Sequence, residues 1–194
     1  MSALARRGRS VSLLLMVIAG GIGIISSTQT WLVVSRADGG EDVVVPGATA
    51  LPLLAPLSLT TLALGAAVAL VGPWLRYVFG AVALLAAAVL IVLTTVILVQ
   101  HPLAAVAPSL TSVTGLAGEK ALSPVIGGIS STAWPWVAIV GWLLLLLAGT
   151  LVLVTGRRWR GGGRRFQTLP VSENGPVDAI ESWDELSQGT DPTR

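Results

Sequence analysis

The sequence predicts an all-α integral membrane protein in which four transmembrane helices form two antiparallel hairpins and both termini are cytoplasmic. Three observations carry that expectation. Apolar runs at about residues 11–31, 53–72, 78–99 and 136–155 each approach the ~20 residues that take a helix across the roughly 30 Å hydrocarbon core of a bilayer. Charged residues make up only 11% of the chain and the mean hydropathy is +0.81, whereas a soluble domain carries about 25% charge. The basic residues are also one-sided. Arg6, Arg7, Arg9, Arg76, Arg157, Arg158, Arg160, Arg164, Arg165 and Arg194 fall on one side of the four spans, against Arg36 and Lys120 on the other. The positive-inside rule then makes the first side the cytoplasm and the location a multi-pass protein of the cell membrane.

Residues 1–10 form a basic cytoplasmic N-terminus, and the apolar run from Val11 outlasts the core of a signal peptide with no A-x-A site after it, so it reads as a retained helix. Span one has a small-residue centre. Ala19 and Gly23 stand four apart, the spacing that lets two helix backbones approach in lipid, and they are the expected helix-packing pair. Trp31 is expected to close the span as an interfacial anchor.

Residues 32–52 read as a water-exposed outer loop, with Arg36, Asp38, Glu41 and Asp42 around Gly39-Gly40. Its acids lack the spacing of an EF-hand, so no metal site is expected. Span two begins after Pro52 or Pro56, since proline suits a helix start. Thr60 and Thr61 are expected to bond back to the preceding turn. Gly72 to Tyr77 reads as a tight cytoplasmic turn holding Arg76 between Trp74 and Tyr77. Span three carries only Thr94 and Thr95 as polar residues and stops at Gln100-His101-Pro102. Residues 100–135 form the second outer segment. Its middle is either flexible or held at the lipid surface through Leu103, Val106, Leu110, Val113 and Leu116. Trp134 and Trp136 mark the outer interface of span four, which has no ionisable residue between Trp136 and Thr155.

Residues 156–194 are a cytoplasmic basic linker and an acidic tail. Arg157, Arg158, Arg160, Arg164 and Arg165 form the membrane anchor, attracting anionic lipid headgroups at about 1 kcal/mol per arginine. In the tail, Val177, Ile180, Trp183 and Leu186 recur every three residues among acids, and Ser182 with Glu185 has capping-box spacing. An isolated helix of about ten residues is marginal in water, so this one needs a surface: a protein partner, the bilayer interface or the arginine cluster itself. Ile180, Trp183, Leu186 and Asp191 are the expected docking residues.

Several chemistries are absent from the sequence. With no cysteine and one histidine there is no disulfide framework, thiolate nucleophile or recognisable metal set. No paired-carboxylate, H-E-x-x-H or P-loop pattern occurs, so neither catalytic residues nor cofactor are expected. A net charge of +2 and a pI near 9.9 do not indicate nucleic acid, because the arginines adjoin apolar runs rather than a folded basic domain.

Three stretches carry a resemblance: Thr28-Gln29-Thr30-Trp31, GRRWRGGGRRF at 156–166 and ESWDELSQGTDPT at 181–193. They resemble the actinobacterial tryptophan-operon-associated transmembrane proteins, with Gly156 to Trp159 matching the basic motif. Trp183, Leu186, Gly189, Asp191, Pro192 and Thr193 match the tail. The chain departs from the pattern at Arg160, Gly162 and Phe166, where proline, methionine and tyrosine are usual. The resemblance implies an association with tryptophan biosynthesis and brings no catalytic residue with it. The expected function is a non-catalytic accessory or scaffold that docks a cytoplasmic partner through its tail. The alternative is a small transporter for tryptophan, indole or a related aromatic, working as a homo-oligomer around an apolar path. The absence of ionisable residues from the spans counts against a proton-coupled carrier.

Overall fold

The computed structural model describes residues 3–156 and 159, with side chains from residue 8 onward. Its centre is a bundle of four helices: α1 (Ala3–Thr28), α3 (Leu54–Leu70), α4 (Pro73–Gln100) and α7 (Trp134–Thr155). Three stretches are long and apolar enough to cross a membrane, Gly8–Thr28, Pro73–Gln100 and Trp134–Thr155, while α3 is a shorter apolar helix of 17 residues. Prolines start α4 and α7, where no intrahelical N–H partner is needed. At the far end of α4, His101 takes the left-handed conformation and Pro102 follows, ending the helix.

Glycines bring the helices together. A Cβ on Gly20 would stand 2.7 Å from Leu62 of α3, one on Gly80 2.9 Å from Val152, and one on Gly149 3.1 Å from the Gly80 carbonyl. Thus α1 packs between α3 and α7, and α7 between α1 and α4, with neighbours antiparallel. Three buried hydroxyls are satisfied within their own helices: Ser12 donates to the Gly8 carbonyl at 2.8 Å, Ser58 to Leu54 at 2.6 Å and Thr61 to Leu57 at 2.9 Å. Thr60 bonds back in the same way, to Pro56. The outer face of α4 is apolar, with Val78, Val82, Leu85, Val89 and Val92 exposed. Such a face suits hydrocarbon rather than water.

The segments between the helices depart from the expectation of an all-α chain with two irregular outer loops. A three-stranded antiparallel sheet in the order β2-β1-β3 is built from β1 (Thr30–Arg36), β2 (Val43–Pro46) and β3 (Ile126–Ser131). Val34 pairs with Val43 on one side and Ile129 on the other. Leu32, Val34, Val43 and Val45 share the buried face, and this β-branched run favours strand over loop. Short helices α2 (Gly47–Ala50), α5 (Leu103–Thr114) and α6 (Glu119–Leu122) complete this cap. Helix α5 buries Val106 and Leu110, lies against α2 and β2, and leaves Val113 exposed. Within 103–133, α5 packs on α2 and β2, and β3 joins the sheet.

Two boundary readings also change. Helix α1 ends at Thr28 and Trp31 belongs to β1, fully buried, so it is not an interfacial anchor. The turn between α3 and α4 is only Val71-Gly72, because Pro73 already starts α4. Arg76 thereby falls inside the helix.

Candidate functional site

The proposed anchor residues Arg157, Arg158, Arg160, Arg164 and Arg165 lie outside the described residues, as do Ile180, Trp183, Leu186 and Asp191. Ala19 and Gly23 are described. Ala19 is fully buried on α1, and a Cβ on Gly23 would collide with Ser58 of α3 and stand 2.5 Å from the Trp142 ring of α7. Gly23 therefore sits at a crossing of three helices.

A cluster that the sequence did not single out occupies the end where α1 begins and α7 finishes. Arg76 is one turn into α4 and only 3% exposed. Its guanidinium donates to the carbonyl of Gly156, the residue capping α7, at 3.0 Å, and to that of Val71, which caps α3, at 3.1 Å. Those carbonyls are the negative poles of two helices, where a cation is stabilised by roughly 0.3–1 kcal/mol, and more when partly buried. The guanidinium carbon also stands 4.8 Å from the centre of the Trp159 ring, a cation–π distance.

Trp159 is itself fixed. Its indole N–H donates to Thr155 Oγ1 at 3.0 Å, and that hydroxyl donates in turn to the Leu151 carbonyl. Gly8 of α1 closes the other side, since a Cβ there would be 3.2 Å from Thr155 Oγ1 and 3.5 Å from the Trp159 indole nitrogen. Arg9 reaches across to the Ala69 carbonyl of α3 at 2.7 Å. All four helix ends are thus tied together at the point where the chain leaves α7. Charge–dipole contacts and stacking do this without a carboxylate among the described residues. The sequence signal for Arg76 is faint: an arginine three residues past a helix-starting proline. Its partners lie 5 and 80 residues away.

The cap holds the described acids. Arg36 donates to Asp38 from Nε at 3.0 Å and from Nη2. That guanidinium, helped by the Gly40 N–H, holds the Asp38 carboxyl below its ordinary range, and the same bond raises Arg36. Glu41 and Asp42 line an open cleft of about 400 Å³ with Thr49, Ser109 and Ser112. Among the described residues no three His, Cys, Asp or Glu side chains come together to hold a metal ion. Inside the bundle, Thr94 Oγ1 and Trp142 Nε1 are buried without a partner in the structure, whereas Thr95 bonds back to Ile91.

A family model described as tryptophan-associated transmembrane protein matches residues 13–193, nearly the whole chain. No curated protein and no solved structure matches it.

Proposed function

Because the chain belongs to the family of tryptophan-associated transmembrane proteins, we propose that it is a non-catalytic accessory protein of the cell membrane that presents its C-terminal tail to a cytoplasmic protein partner. The Arg76 clasp carries this reading. It gives the chain a fixed point of departure at Trp159, within the basic segment and ahead of the tail with Ile180, Trp183, Leu186 and Asp191. A tail used only for solubility would not need its base fastened to three helices.

In this reading α3 is the fourth span. Its 17 residues rise about 25 Å, short of the roughly 30 Å core but inside the range of spanning helices. The end bearing Arg9 and Arg76, after which the arginines from 157 to 165 follow in sequence, faces the cytoplasm, and the acid-bearing cap faces outward. The arginine segment holds the tail near anionic headgroups. Since the family is described as tryptophan-associated, enzymes of tryptophan synthesis are the first partners to test.

Since the chain has no cysteine, single cysteines at Gly39 in the cap turn and at Ser10 on α1 report sidedness directly. An impermeant maleimide should label the first from outside intact cells and the second only in inverted vesicles; the reverse pattern would defeat the proposed topology. For the docking step, crosslinking in native membranes should recover a partner with the intact chain and lose it with Trp183→Ala plus Leu186→Ala. Equal recovery from both would sink the docking role.

A transport function is the competing reading, with Thr94 and Trp142 as the unpartnered polar groups of the bundle interior. Labelled tryptophan or indole entering vesicles that contain the purified chain faster than empty ones would favour it. The tight glycine crossings along α1, α7 and α4 favour the accessory role.

A further inference from the structure

The structure assigns a binding site for the phosphate of an anionic phospholipid to Arg9, beside the turn between α3 and α4. The inference rests on the reading of α3 as a membrane span, and it is independent of the docking tail. Its starting point is charge balance. All four acids among the described residues, Asp38, Glu41, Asp42 and Glu119, belong to the cap segments, while Arg9 and Arg76 lie at the opposite end of the bundle. Four helix ends also meet there. The C-termini of α3 and α7 contribute about half a negative charge each and the N-termini of α1 and α4 about half a positive charge each, so they roughly cancel. Among the residues whose side chains are described, the guanidinium charges of Arg9 and Arg76 remain at this end.

The two arginines differ in reach. Arg76 is buried and bound to Val71 and Gly156, so it adds positive potential without being accessible. Arg9 is exposed, and its hydrogen bond to Ala69 fixes the guanidinium while using one of its five N–H donors. Planar guanidinium donors match phosphate oxygens in paired geometry. The surroundings favour a lipid over free phosphate. Leu70 at 87% exposure and Trp74 at 76% flank the turn, large apolar side chains left outside the core next to the cations. That amphipathic arrangement belongs to the headgroup layer, where tryptophan is enriched.

The test is native mass spectrometry of the full chain titrated with phosphatidylglycerol, with phosphatidylcholine of the same acyl chains, and with inorganic phosphate. The first lipid bound by the wild-type chain should be phosphatidylglycerol, preferred over phosphatidylcholine about fivefold. Arg9→Gln should abolish that preference and Arg9→Lys should keep part of it. A variant with Arg157, Arg158, Arg160, Arg164 and Arg165 changed to Gln should retain it. Unchanged preference in Arg9→Gln, or its loss only in the five-glutamine variant, would overturn the assignment. So would inorganic phosphate binding as tightly as the lipid. A preference appearing only after Glu181, Asp184 and Glu185 are changed to Gln would assign Arg9 to the tail instead. A melting curve of Arg9→Gln in phosphatidylcholine matching the wild type shows that the variant is folded, so loss of lipid preference is a loss of the site.

Discussion

The two ends of the bundle use the same device with opposite chemistry. At the cap end, the indole N–H of Trp31 donates to Ser26 Oγ in the last turn of α1 at 2.9 Å; at the other end, that of Trp159 donates to Thr155 Oγ1 in the last turn of α7 at 3.0 Å. Each tryptophan is then covered by a different group. Trp31 is closed in by the backbone at Gly47, where a Cβ would stand 2.7 Å from both the Ser26 carbonyl and the Trp31 nitrogen. Trp159 is covered by the Arg76 cation. The cap lock is neutral and continuous with the sheet, whose strands leave directly from it: Thr132 Oγ1 donates to Thr30 and the Gly47 N–H to Gln29. The Arg76 lock depends on one side chain. The first keeps the cap fixed on the bundle, and the second holds Trp159 against α1, α4 and α7.

The sharpest break of that comparison is truncation of the two tryptophans. Trp31→Ala should cost about 3–5 kcal/mol of global stability, read as a lowered midpoint of unfolding in detergent. Trp159→Ala should leave that midpoint nearly unchanged while making the chain beyond Thr155 more susceptible to protease. Arg76→Gln comes next. It leaves the Gly156 and Val71 carbonyls without their cation and should cost about 2–3 kcal/mol at this end, with the cap unaffected in hydrogen exchange. Gly23→Val probes the bundle between the two locks. Overpacking against Ser58 and Trp142 should cost about 1–3 kcal/mol, measured by thermal unfolding, and should disturb neither indole environment.

The smallest effect belongs to the cap turn. The folded-state pKa of Asp38 is depressed, so its contribution is present above the unfolded carboxylate value of about 3.9 and is lost as pH falls through the folded value. The Gly40 N–H, which donates to Asp38 at 3.1 Å, should keep its protection from exchange between about pH 5 and 7 and lose it only as pH falls below the ordinary carboxylate value of about 3.9. Asp38→Asn should remove that pH dependence.

What was legible in the sequence follows from the range of the signals. Runs without charge marked α4 and α7 because a span is a local pattern about 20 residues long. The sheet was hidden because its partners are remote: Val33 pairs with Ser130 across nearly 100 residues, and Arg36, Asp38 and Glu41 made the hairpin look like a polar loop. The β-branched residues of β1 and β2 were the available clue. Trp31 followed an apolar run and so looked like its anchor, yet Gln29 and Thr30 already mark the exit from α1. Arg76 was misread as a turn residue for the same reason that it matters. The carbonyl it clasps lies 80 residues away and belongs to the backbone, which leaves no mark in sequence.

The most direct test of the account is hydrogen exchange of the indole N–H protons of Trp31 and Trp159, observed by nuclear magnetic resonance in the wild-type chain and in Arg76→Gln. Both protons should be protected in the wild type, and the substitution should speed exchange at Trp159 by about tenfold, the equivalent of ~1.4 kcal/mol, while Trp31 stays protected. Fast exchange at Trp159 in the wild type, or equal protection in both proteins, would contradict the claim that Arg76 fixes the point where the chain leaves the bundle.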